Sequence, residues 1–215
     1  NLKEKKINGV NVTVPFKKKV IPFLNKLTKE SEITQSVNTI YFQDDIIIGH
    51  NTDVSGFELG IKNFNYDIKN KSVFILGAGG VVSSLIFSLK KLKVSKIIIS
   101  NRTKEKAHNL KKLFKEVIVV DWGEIPDFDM IINATSLGLK KNDLLDLNFS
   151  KIGKNKFFYD VIYNPKQTNF LKTGSELGNK TENGRLMFIY QASAAFKIWH
   201  KIEPKIDEEV IRLLD

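Results

Sequence analysis

The chain has 215 residues, 42% of them hydrophobic, no cysteine and a formal net charge of +10. That length and apolar share suffice for a packed core in one large or two small domains and set the chain apart from disordered sequences, while the lack of cysteine excludes disulfides and cysteine-based metal or redox centres. The longest apolar run, FILGAGGVVSSLIF, is too short and too interrupted to span a bilayer, the polar start NLKEKK is no signal peptide, and the lysines are spread without a nucleic-acid-binding motif, so the expected setting is the cytoplasm with neither membrane nor nucleic acid as partner.

Residues 7–16 alternate as a strand, and 17–28 (KKKVIPFLNKLT) read as a helix with Pro22 in its first turns. The runs VNTIYF and IIIGHN flank QDD as a hairpin. A helix starts near Asp53 and carries Phe57, Leu59, Gly60, Ile61 and Phe64; 67–71 is a polar break. There the rhythm changes. KSVFILGAGG is a buried strand entering a glycine turn, 80–92 a helix, KIIISN a strand, 104–115 a helix, and EVIVVDW, DMIINATS and KFFYDVIY are three more strands. Strands alternating with helices predict βαβ units and a mostly parallel sheet. Residues 167–178 and 184–200 read as helices and 206–214 as a short terminal one. The chain begins at Asn1, without methionine, and reads as a start in mid-domain.

The glycine turn follows a strand and opens a helix, the context in which such a pattern binds a dinucleotide. Bare backbone at Gly77, Gly79 and Gly80 admits a pyrophosphate, and the helix N-terminus supplies N–H donors. The third glycine of G-x-G-x-x-G falls on Val82, which predicts looser packing of helix on strand. A tight turn without ligand is the bland alternative. The next strand ends not on the acid that grips a ribose 2′-hydroxyl but on Asn101, Arg102 and Thr103, with Lys106 one turn on. A guanidinium, a hydroxyl and an ammonium suit a 2′-phosphate, so the cofactor expected is NADP rather than NAD; a solvated helix start would look the same.

In NVTVP, Asn11 and Thr13 share one strand face. Asn38 and Thr39 lie in the next strand, and Asn51, Thr52 and Asp53 lead into a helix, where Asp53 also reads as an N-cap. Together with Lys17 these segments look like the lining of a site for a polyhydroxy ligand. The histidines, His50, His108 and His200, have no metal-ligand spacing, and no metal is expected.

The motifs GVNVTVPFK (9–17), SVNT (36–39), GHNTDVSG (49–56), ILGAGG (75–80), NRT (101–103), INATSLG (132–138), YDVIYNP (159–165) and GRLMFIYQA (184–192) stand in one order over nearly the whole chain. In them the chain resembles the shikimate dehydrogenase family. The resemblance implies an α/β protein of two domains around a cleft: a Rossmann-like, doubly wound NADP-binding domain over 54–184 and a smaller α/β substrate domain from 1–53 and 185–215. It implies NADPH-dependent reduction of 3-dehydroshikimate to shikimate in aromatic biosynthesis. Lys17, singled out among the three lysines by the motif's spacing, and Asp53 match the catalytic pair, whose ammonium would stabilise the charge that hydride transfer builds on a ketone oxygen and could deliver the proton; Thr13, Asn38, Tyr163 and Gln191 match substrate positions beside Asn11. Gly77, Ala78, Gly79 and Gly80 match the pyrophosphate turn, and Asn101, Arg102 and Thr103, with Lys106, the 2′-phosphate clamp. Thr135, Ser136 and Gly184 match positions beside the cofactor. A homodimer is compatible with the family. Members begin with a strand–helix–strand segment whose S-x-S-P serines grip the substrate carboxylate, and nothing before Asn1 supplies it. The alternatives are preference for quinate, which no motif here excludes, and NADP binding without turnover, because the carboxylate grip is absent.

Overall fold

The structure, a computed structural model, describes residues 1–140 and 143–214; Asp215, the end of the expected substrate domain, lies outside the described residues. The elements run β1 (Gly9–Asn11), a 3-10 turn (Ile21–Phe23), β2 (Lys26–Leu27), α1 (Lys29–Thr34), β3 (Thr39–Gln43), β4 (Ile46–His50) and α2 (Thr52–Asn63). They continue with β5 (Ser72–Leu76), α3 (Val82–Lys91), β6 (Lys96–Ser100), α4 (Lys104–Leu113), β7 (Ile118–Val120), β8 (Met130–Asn133) and β9 (Phe157–Asp160). The last are α5 (Asn169–Glu176), β10 (Lys180–Glu182), α6 (Arg185–His200) and α7 (Glu208–Arg212). The chain forms two compact units, one from Asn1–Tyr66, Ser83–Ser88 and Leu186–Asp215, the other from Asp67–Val82 and Leu89–Arg185.

The first unit holds a four-stranded sheet in the order β1-β3-β4-β2. β3 and β4 form the expected hairpin, turning at Asp44 and Asp45, both with positive φ as a type I′ turn requires. The expected helix over 17–28 is not formed. Pro22 lacks the N–H a helix needs, and the segment's backbone is engaged elsewhere. Lys17 O accepts from Val37 N (2.9 Å), Asn25 N donates to Ile47 O (2.9 Å) and Thr28 N to Gly49 O (2.9 Å), so residues 17–28 run as a turn, one 3-10 turn and the edge strand β2, parallel to β4. The strand expected over 7–16 is confined to Gly9–Asn11, because the chain turns where Phe16 N bonds Thr13 O.

The second unit is a six-stranded, all-parallel sheet in the order β10-β9-β8-β5-β6-β7. Counted from β5, the spatial order is 3-2-1-4-5-6, the Rossmann arrangement, with its switch point between β5 and β8. Runs of Val, Ile, Phe and Tyr make β5, β6, β8 and β9, with both faces buried, as parallel sheets demand. On one face Phe74 is in register with Ile98 and Ile131, and Ile131 with Phe158; there they pack with Phe128, Phe149 and Phe170 of the surrounding segments. The chain therefore has the doubly wound α/β class expected. The sixth strand, β10, was not legible in its polar KTE.

Candidate active site

In the first unit the polar residues converge on Asn38. Its backbone carbonyl ends the ladder to β1, accepting from Val12 N (2.8 Å) and from the Asn11 side chain (3.2 Å). Its side-chain oxygen accepts from Thr52 N (2.8 Å) and from the Thr39 hydroxyl (3.0 Å). Its amide nitrogen donates to Asp53 Oδ1 (2.9 Å) and lies 3.4 Å from Gln191 Oε1. Asn38 and Asp53 are buried, Gln191 half-buried.

Asp53 is not the helix cap it could have been. Asn51 caps α2, its Oδ1 accepting from Asp53 N (3.1 Å), and this leaves the Asp53 carboxylate free for other partners. One oxygen faces Asn38; the other is held by Lys17 Nζ at 2.5 Å. The lysine and aspartate side chains are 13% and 8% exposed, which separates this pair from the surface ion pairs and makes the breaking of one partner costly. Lys18 and Lys19 are exposed, and Lys19 lies over the Phe16 ring. Thr13 is exposed past the end of β1. His50 lies 2.7 Å from Thr28 Oγ1; burial lowers its imidazole below the usual value, with the Glu30 carboxylate pulling the other way.

In the second unit the predicted cofactor residues fall at the carboxyl ends of neighbouring strands: Gly77 after β5, Asn101 after β6 and Thr135 after β8. Gly77 has φ +110°, and a Cβ there would stand 2.7 Å from Ala134 O, so the chain passes as bare backbone where a pyrophosphate needs close approach. Gly79 and Gly80 are exposed just before α3. Val82 is fully buried at the first position of α3, its N–H on Gly79 O (3.1 Å), so the missing third glycine leaves a packed helix start. Asn101 closes its own turn by donating to Thr103 O (2.7 Å). Arg102 and Lys106 are exposed and form no ion pair among the described residues, so both cations stand ready for an anion. Glycine turn, helix start and cations together fit a phosphorylated dinucleotide. At Gly184 a Cβ would run into the Val161 carbonyl, so only glycine fits. Tyr163 is half-buried just past β9.

A buried cluster escaped the sequence reading. Asn133, the last residue of β8, and Asp160, the last of β9, are fully buried, and the Asn133 amide donates to both Asp160 oxygens at 3.1 Å. The Thr168 hydroxyl donates to Asp160 at 2.6 Å. Burial pushes the Asp160 carboxyl up to about 6, against the pull of these donors. The available signal was a polar residue closing each of two otherwise apolar strands.

Comparison with known proteins settles the family. The family model described as "Shikimate dehydrogenase substrate binding domain" matches residues 1–40, and that described as "Shikimate / quinate 5-dehydrogenase" matches 58–165. The shikimate dehydrogenase (NADP(+)) of Pelagibacter ubique strain HTCC1062 is 59% identical over 215 residues, covering all of this chain and 81% of that protein. The chain belongs to the shikimate dehydrogenase family. The crystal structure of the Aquifex aeolicus shikimate dehydrogenase superposes with a TM-score of 0.89 at 37% identity, covering 99% of this chain and 79% of that one. The Thermus thermophilus shikimate 5-dehydrogenase, solved in complex with NADP(H) and shikimate, gives 0.88 at 28% identity over 100% and 82%. Family membership and fold thus agree with the motif order read from the sequence.

Proposed function

We infer that this chain is an NADP-dependent shikimate dehydrogenase, reducing 3-dehydroshikimate to shikimate. The observation that carries the reading is the buried Lys17–Asp53 pair set on Asn38, in a chain whose glycine turn and Arg102 suit NADP. Bound NADPH supplies a hydride to the substrate's carbonyl carbon. The chain's own part is electrostatic and protonic. An ammonium has three N–H donors, and with one directed at Asp53 Lys17 keeps others for the substrate oxygen. As negative charge gathers on that oxygen, Lys17 stabilises it and gives it a proton from Nζ. Asp53, fixed by Asn38, aims the ammonium and accepts from a substrate hydroxyl. Asn11, Thr13, Asn38, Tyr163 and Gln191 hold the remaining polar groups of the substrate.

We assign the cofactor's pyrophosphate to the turn of Gly77, Ala78, Gly79 and Gly80, and its 2′-phosphate to Asn101, Arg102, Thr103 and Lys106. Thr135, Ser136 and Gly184 line the same ligand. The domain assignment that goes with these roles is 1–53 and 185–215 for substrate and 54–184 for NADP, in a cytoplasmic enzyme of small molecules.

The test is NADP⁺ reduction by the chain with shikimate, quinate or no substrate, alongside Lys17→Ala. Turnover with shikimate is expected, reduced roughly a hundred- to ten-thousand-fold in Lys17→Ala, while NADPH still binds. Turnover with quinate alone would overturn the substrate, and full turnover in Lys17→Ala would overturn the role of the lysine.

A further inference from the structure

The mechanism above leaves one buried group without a task. Asp160 ends β9 with no exposed surface, and among the described residues its hydrogen-bond partners are all uncharged: the Asn133 amide, the Thr168 hydroxyl and the Ile162 N–H (3.0 Å). A buried carboxylate without a cation is costly in a sheet that could have closed on an apolar residue. Its arrangement points outward along β8. Asn133, held by Asp160 through its nitrogen, directs that same nitrogen at Leu137 O (3.1 Å) and its oxygen at Thr135 N (3.1 Å) and Thr135 Oγ1 (2.7 Å). Thr135 Oγ1 in turn accepts from Leu137 N (3.0 Å). Three of the hydrogen bonds that shape the segment 134–138 therefore run through one amide, beside Leu137 N on Thr135 Oγ1 and the backbone bonds of Ala134 N to Leu76 O and Leu139 N to Ser136 O, and Asp160 sets which way that amide faces. The segment it shapes is the one whose Ala134 carbonyl abuts Gly77 in the glycine turn.

We propose that Asp160, oriented by Thr168, is a positioning residue for cofactor binding: it fixes the Asn133 amide and thereby the 134–138 segment against the Gly77 turn. The proposal rests on the reading of that turn as the NADP site. It is a claim about hydrogen-bond geometry, not charge. An asparagine at 160 still offers one oxygen to Asn133 and Ile162, but its NH2 replaces the oxygen that accepts from both Asn133 and Thr168, setting donor against donor there, so it keeps only part of the arrangement. An alanine offers nothing.

The experiment compares the full chain with Asp160→Ala, Asp160→Asn and Thr168→Val. NADPH affinity is read by fluorescence titration, and amide hydrogen exchange at Thr135 and Leu137 is read in the unliganded chain. Asp160→Ala should weaken NADPH binding by roughly ten-fold or more and accelerate exchange at both amides, and Asp160→Asn, which keeps one acceptor, should lie between Asp160→Ala and the parent chain in both. Thr168→Val should fall between, and it decides the matter if Asp160→Ala does not fold. Unchanged affinity and exchange in the folded Asp160→Ala or Thr168→Val chain overturns the proposal. Failure of the parent chain to bind NADPH would instead overturn the cofactor reading, and exchange at Thr135 and Leu137 would still decide whether Asp160 positions the segment.

Discussion

Asn38 Nδ2 stands 2.9 Å from Asp53 Oδ1, on the carboxylate oxygen opposite to the one that Lys17 holds. The aspartate is therefore gripped at both ends, and the amide decides which oxygen is left for the lysine. Asn38→Ala should lower kcat/KM for shikimate by roughly ten- to a hundred-fold, the size of a hydrogen bond to a charged group. It should also cost about 1–3 kcal/mol of stability, because Thr52 N loses its buried acceptor. Steady-state kinetics and urea unfolding read the two effects, and loss of stability with unchanged kinetics would show Asn38 to be a scaffold only.

Gly77 answers to a different constraint. Its φ of +110°, and the mere 2.7 Å that would separate an added Cβ from Ala134 O, leave no room for a side chain. Gly77→Ala should destabilise the chain by about 1–3 kcal/mol and raise the NADPH dissociation constant roughly ten-fold or more, as the turn moves to relieve the clash. NADPH binding at the parent affinity would show that the turn does not carry the pyrophosphate.

Arg102 tests cofactor choice. It is exposed and takes no acid among the described residues, so its removal leaves no buried charge behind. Arg102→Ala should weaken NADPH binding roughly ten-fold while leaving NADH unchanged, and the difference should shrink at high salt. Parallel titrations with both nucleotides decide it; equal losses for the two would remove the 2′-phosphate assignment.

Asp160 links stability to pH. Its folded value of about 6 lies above the unfolded carboxyl's value near 4, so the native chain holds the proton more tightly. Stability from this group is therefore fullest below about pH 4, falls as pH rises to about 6, and is level above that. Relative to Asp160→Asn, the parent chain should lose about 2–3 kcal/mol of unfolding free energy between those limits. Denaturant titrations at several pH values measure it, and a pH-independent difference would contradict the burial cost.

Much of this was legible beforehand, for identifiable reasons. β5, β6, β8 and β9 announce themselves because a buried parallel strand must be apolar on both faces. Lys17, Asn38 and Asp53 stood out because polar residues in such segments need a reason, and the structure brings the three together. The segment 17–28 misled because its apolar spacing mimics a helix while its backbone partners, Val37, Ile47 and Gly49, lie far along the chain. β10 was invisible because its pairing with β9 rests on main-chain bonds that leave no mark in one exposed and two half-buried side chains. Asn133 and Asp160 were passed over singly, since only the parallel register places them side by side at the ends of β8 and β9.

The hydrogen bonds of Asn38 have an evolutionary side. The same amide that turns Asp53 also anchors the first residue of α2 and its own neighbour Thr39, so folding and chemistry draw on identical atoms. A laboratory selection for heat resistance should therefore accumulate its changes away from positions 38, 52 and 53, since any replacement there trades one trait for the other. Drift toward a new substrate faces the same barrier, and has its freest path through the periphery, at residues such as Thr13, whose side chain the scaffold does not use.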